Sequence, residues 1–184
     1  FSTRHGSVTA VQTFTVPERV NGEVRALTLS SPDGIDGTVR LTFEAVLAPW
    51  EDYVNHPAFA RLGFQSVLRR NALLLRRLGR GGKPETWLCA ACDRQADFYA
   101  EGAIPGWLRA GYVQVRVAVH TPPDTPWRVR FALGVGAHED DAFAAAQRAL
   151  VLPPESAEGC GFVFEQYDAY HLLCEVRRAA QMLR

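Results

Sequence analysis

Four cysteines, Cys89, Cys92, Cys160 and Cys174, form an even set that permits two disulfides or one zinc site. Zinc would need a second Cys-x-x-Cys, or a His-x₃₋₅-His, to complete Cys89-Ala-Ala-Cys92, and neither occurs. Residues three apart on a strand point to opposite faces, so Cys89 and Cys92 would take different partners, which favours disulfides. The histidines His5, His56, His120, His138 and His171 are scattered, and none stands beside a Ser or Cys as a base beside a nucleophile would. Gly79-Arg80-Gly81-Gly82-Lys83 fails the phosphate-loop spacing and has Pro84 where Ser or Thr belongs, so it reads as a helix stop. Gly134-Val135-Gly136-Ala137-His138-Glu139 lacks the third glycine of a dinucleotide turn and reads as a strand-to-helix connection. Asp140-Asp141 suits the start of that helix, where acids complement the dipole. The expectation is a protein without catalysis, cofactor or metal.

The elements that must position these residues come from a chain of 184 residues, 47% hydrophobic, with 20 basic and 20 acidic side chains. That apolar fraction excludes disorder, and the zero balance gives no long-range field for nucleic acid. No apolar run approaches the ~20 residues of a membrane span. Only Lys83 among the basic residues is lysine, a bias that suits a GC-rich coding genome. With Phe1 first and no signal pattern, the chain is expected to be a mature or trimmed piece.

Period-two alternation is clearest in Val39-Leu41-Phe43-Ala45, Val113-Val115-Val117-Val119 and Trp127-Val129-Phe131-Leu133-Val135. It predicts antiparallel strands covered on one side. Weaker strands are predicted at 8–16, 23–30 and 86–99. Apolar residues at helical spacing (Phe64, Val67, Leu68, Ala72, Leu75, Leu78) predict a long helix over about 57–78. A second long helix is predicted over 162–184, and a shorter one over 139–151 before Pro153-Pro154. Strands followed by helix occur twice, with a join near 81–84. The predicted class is therefore α+β: an antiparallel sheet with two helices packed across one face, the halves being 1–83 and 84–184.

That duplicated plan resembles the MHC class I α1/α2 platform. Ala48-Pro49-Trp50-Glu51-Asp52-Tyr53 is similar to the family's entry into its first helix. Ala90-Ala91-Cys92-Asp93 is similar to its Gly-Cys-acidic strand motif, and Cys174-Glu175-Val176-Arg177 to its cysteine-bearing second helix. The resemblance implies a Cys92–Cys174 disulfide, which would leave Cys89 and Cys160 free to form a second pair; Cys160, nearer the family's spacing, is the alternative partner of Cys92. A secretory location is implied as well. It also implies recognition of an immune receptor or antigen-loading chaperone, with beta-2-microglobulin and an apolar groove ligand as further expectations. The residues that hold peptide termini in the family are not found, and the arginine bias suits a viral mimic acting in immune evasion.

On such a platform the outward helix residues Arg61, Arg69, Arg76, Gln147 and Arg148 would form the contact surface, since arginine is favoured at interfaces. Arg116, Arg128 and Arg130 would lie on the sheet underside. The alternative is a cytosolic START- or hot-dog-like domain that binds a small apolar ligand and could act on it as an enzyme, its cysteines reduced.

Overall fold

The alternating segments are strands. Residues 2–17, 19–45, 47, 64–77, 85–101 and 111–152 are described by the computed structural model of the chain. They form β1 (Ser2–His5), β2 (Val8–Thr15), β3 (Gly22–Ser30), β4 (Ile35–Ala45), β5 (Phe64–Leu68) and β6 (Ala72–Arg77). After these come β7 (Thr86–Cys92), β8 (Asp97–Glu101), β9 (Gly111–Thr121), β10 (Trp127–Gly136) and the helix α1 (Glu139–Val151).

Every pairing is antiparallel. A large sheet runs β1-β2-β3-β10-β7-β6-β5 and a small one β4-β9-β8. The inward faces of the two sheets meet in a core containing Leu75, Leu88, Val113, Val115, Val129 and Phe131. On its other face the large sheet carries α1, which closes a second core of Leu74, Trp87, Cys89, Ala132, Ala142 and Ala146. The result is a sandwich of two sheets with a helix outside one of them.

The predicted sheet with two helices across one face is therefore corrected. The described part of the predicted 57–78 helix is the hairpin β5–β6. Its apolar run at 72–75 is buried throughout because the large sheet is covered on both faces, by the small sheet and by α1. A strand buried on both sides loses its alternation and can imitate helical spacing. The shorter helix at 139–151 is found where predicted, whereas 162–184 lies outside the described residues. The strand predicted at 86–99 is two strands, separated by a turn that Asn71 pins. The Asn71 side-chain amide donates to Cys92 O (3.0 Å), and its Oδ1 accepts from the Ala96 N–H (3.0 Å).

Helix α1 lies very close to the sheet. A Cβ on Gly134 would collide with the backbone of Ala142 and Ala146, and one on Gly136 would sit 2.6 Å from Ala142 N. Alanines 142, 145, 146 and 149 supply the matching small-residue face. Gly134 and Gly136 therefore serve helix–sheet packing in the strand-to-helix connection read from the sequence.

Candidate functional site

The two described cysteines are free and buried, 0% exposed for Cys89 and 5% for Cys92. They face opposite ways, as their spacing requires, Cys89 into the helix–sheet core and Cys92 into the inter-sheet core. Burial pushes the Cys89 thiol up to about 12 and the Cys92 thiol to about 11. Burial favours the thiol over the thiolate at both positions, and with one side chain in each core the two cannot serve one ion or one disulfide together. Cys160 and Cys174 lie outside the described residues, and with them the pairings Cys92–Cys174 and Cys89–Cys160.

The arginines expected to face a partner from helices are placed differently. Arg69 sits just after β5, where its Nη1 donates to Asp140 Oδ1 (2.5 Å) and Glu139 Oε1 (3.3 Å). Its guanidinium lies 4.5 Å from the Phe143 ring centroid, so it clamps the first turn of α1. Arg76, on β6, donates to both carboxylate oxygens of Glu85 and packs 5.5 Å from the Trp87 centroid. The Arg76 hydrogen bond and charge hold the Glu85 carboxyl below its usual range. Gln147 and Arg148 are on α1, about 12 Å further along the helix from Arg69's acidic partners. Arg61 lies outside the described residues. The structure thus places Arg69 and Arg76 on a hairpin and leaves Gln147 and Arg148 at the far end of the helix.

The arginines expected to share one underside are divided between the sheets. Arg116 is on β9, while Arg128 and Arg130 are on β10. Arg130 Nη2 donates to Leu152 O (2.5 Å) and Ala149 O (3.3 Å), which satisfies carbonyls at the end of α1.

The inter-sheet space holds one further polar pair. Glu23, its side chain 4% exposed, accepts from Arg25 Nε (2.5 Å), and burial raises its carboxyl above the usual range despite that partner. A crevice lined by Arg25, Leu41, Phe43, Val115, Phe131 and Leu133 has room for about 20 Å³, the space of one water.

A different surface brings polar chemistry together: the outer face of the small sheet. Because Val39, Leu41 and Phe43 and the β9 valines at 113–119 fill the core, their alternate neighbours point outward. Register places Thr42, Gln114 and Tyr99 in one row across β4, β9 and β8, with Arg40, Arg116 and Asp97 in the next. Tyr99 is 45% exposed. Arg116 fixes the ring from one side, its guanidinium 4.6 Å from the centroid, and its Nε donates to Gln114 Oε1 (2.6 Å). This is a broad face with an aromatic ring among fixed donors and acceptors. The alternation had already put Gln114 and Arg116 on the polar side of their strand. What sequence reasoning missed was Tyr99, the last residue of a weak strand prediction, which comes beside them only through the β8–β9 pairing.

No family model matches the chain, and no curated protein matches it. Among solved structures, 26 chains match. One is named "Putative kojibiose phosphorylase from human microbiome"; it aligns over 88% of this chain at 7% identity with a TM-score of 0.50. The alignment covers 20% of that chain, so the present sequence spans about one fifth of its length. At that identity the likeness is one of fold.

Proposed function

We propose that this chain is a non-catalytic, carbohydrate-binding β-sandwich module, with the outer face of the small sheet as its binding face. The observation that carries the reading is the exposed Tyr99 ring set among Gln114, Arg116 and Thr42 on one sheet face. A sugar ring has an apolar C–H face that packs on an aromatic ring and a rim of hydroxyls that both donate and accept. A guanidinium and a carboxamide held to each other present that rim with fixed partners. The phosphorylase named above, a protein named for a disaccharide, supports a carbohydrate setting. Its greater length supports a module within a longer protein. The immune-recognition reading drew its surface from a two-helix platform, so it is not carried forward. Its coarser content, a protein that acts by binding, is retained.

The test is affinity electrophoresis of the purified chain in gels containing soluble glucans, with calorimetric titration of kojibiose alongside. Retardation by at least one glucan is expected, weakened roughly tenfold by Tyr99→Ala, the loss of about 1.4 kcal/mol of contact. Incubation with kojibiose and phosphate is expected to release no glucose 1-phosphate. Equal mobility of wild type and Tyr99→Ala in every gel would overturn the binding face, and phosphorolysis would overturn the non-catalytic reading.

A further inference from the structure

The two sheets have four edge strands among the described residues, and three of them carry charge. β1 contains Arg4 and His5, β4 contains Asp36, Arg40 and Glu44, and β8 contains Asp97 and Glu101. Charged residues on an edge are the ordinary protection against strand-to-strand association. The fourth edge, β5, reads Phe64-Gln65-Ser66-Val67-Leu68, with no charge, proline or glycine. Gln65, Ser66, Val67 and Leu68 are all exposed, Leu68 to 68%.

Hydrogen-bond phase decides what that edge offers. The β5–β6 hairpin closes with the Arg69 N–H donating to Ala72 O (3.0 Å). In an antiparallel ladder the bonded pairs recur at every second residue, so Val67 bonds to Leu74 and Gln65 to Arg76. The backbone N–H and C=O of Phe64, Ser66 and Leu68 therefore point away from β6, and they meet no described residue.

We propose that β5 is a homodimerisation edge, pairing antiparallel with β5 of a second copy about a twofold axis through Ser66. That register is self-complementary. Ser66 meets position 66 of the other copy and Leu68 meets position 64, so every outward donor and acceptor of the three residues is satisfied. The two large sheets become one continuous sheet, and Leu68 gains cover. A second copy fits because the strand is neutral, so like charges do not meet across the axis, whereas self-pairing of β1, β4 or β8 would bring charged residues close to their own copies. The pairing leaves the outer face of the small sheet free and does not depend on what that face binds.

Sedimentation velocity of the full 184-residue chain, from micromolar to hundreds of micromolar, reads the outcome. A species of twice the 20.4 kDa monomer mass is expected to grow with concentration. Ser66→Pro removes an outward N–H that β6 does not use, and Ser66→Lys sets two ammonium groups opposite each other. Both are expected to leave a folded monomer, confirmed by an unchanged circular dichroism spectrum. Should the proline variant unfold, the lysine variant decides alone. Thr38→Lys, the same kind of charge placed on the β4 edge, is expected to keep the dimer. A wild type that stays monomeric throughout, or a dimer that survives Ser66→Lys, overturns the proposal.

Discussion

Glu23 shows how a single side chain in the inter-sheet space sets a pH dependence. Its carboxyl is desolvated more than Arg25 compensates, so its folded-state value stands above the ordinary 4.5. Between those two values the native state holds a proton that the unfolded chain has released, so stability falls as pH rises. The contribution is complete below about 4.5 and is lost as pH rises through the raised folded value. Glu85 works the other way, its lowered value adding stability that disappears in acid, but it is common to wild type and any Glu23 variant. Glu23→Gln removes only the first effect. The urea midpoint of the variant is therefore expected to gain on wild type as pH climbs from 4 to neutrality, whatever the offset between them. Parallel midpoints across that range would show that Glu23 ionises normally. The cysteines follow the same physics: burial in the two cores raises the thiols at 89 and 92, and their Cys-x-x-Cys spacing sends one into each core rather than bringing them together.

Helix α1 approaches the sheet along a glycine and alanine seam, with Leu74, Trp87 and Leu150 filling the core beside it. With Gly134 under the backbone of Ala142 and Ala146, even one methyl group forces the helix off the sheet. Gly134→Ala is expected to cost about 1–3 kcal/mol, the range for overpacking a rigid contact. Gly37→Ala on β4, where an added Cβ meets nothing within 4 Å, is the control and should change stability little. Equal urea midpoints for the two variants would mean that the helix is not held at that distance. The seam also shows what could be read in advance. Asp140-Asp141 at its start and Pro153-Pro154 beyond its end marked this helix in the sequence, and the sandwich strands with one wet face announced themselves by alternation. The β5–β6 hairpin did not. Its turn has Arg70 at φ 53, a conformation usually marked by glycine or asparagine, and its second strand is apolar at four successive positions. With Asn71 as the turn's lone favourable residue and no alternation, helical spacing was the stronger pattern. Tyr99 was hidden for another reason, since its neighbours come from β9 and β4, and only pairing at long range assembles them.

Long-range pairing also governs how the chain holds together. The sequence suggests one domain with two halves of like element order, 1–83 and 84–184, and both sheets are stitched from strands on either side of that division. β3 pairs with β10, β6 with β7, and β4 with β9 along eleven residues each. Strand β10 is the centre of this arrangement: it bonds to β3 on one side and β7 on the other, and it carries α1. Val129 and Phe131, which lie at the middle of the inter-sheet core, are contributed by it. A fragment of residues 1–83 would keep the β1-β2-β3 meander and the β5–β6 hairpin, but β4 would have no neighbour and neither core would close. Small antiparallel units without a covered face are marginal in water. Fragments 1–83 and 84–184, melted separately by circular dichroism, are thus expected to show no cooperative transition, while an equimolar mixture should regain one near the wild-type midpoint. Refolding of the intact chain should take milliseconds to seconds, because closing loops of this length precedes most of the stabilising contacts. A cooperative melt from either fragment alone would mean that the division at residue 83 separates two folding units, and that the sandwich is assembled by docking them rather than by threading β10 between β3 and β7.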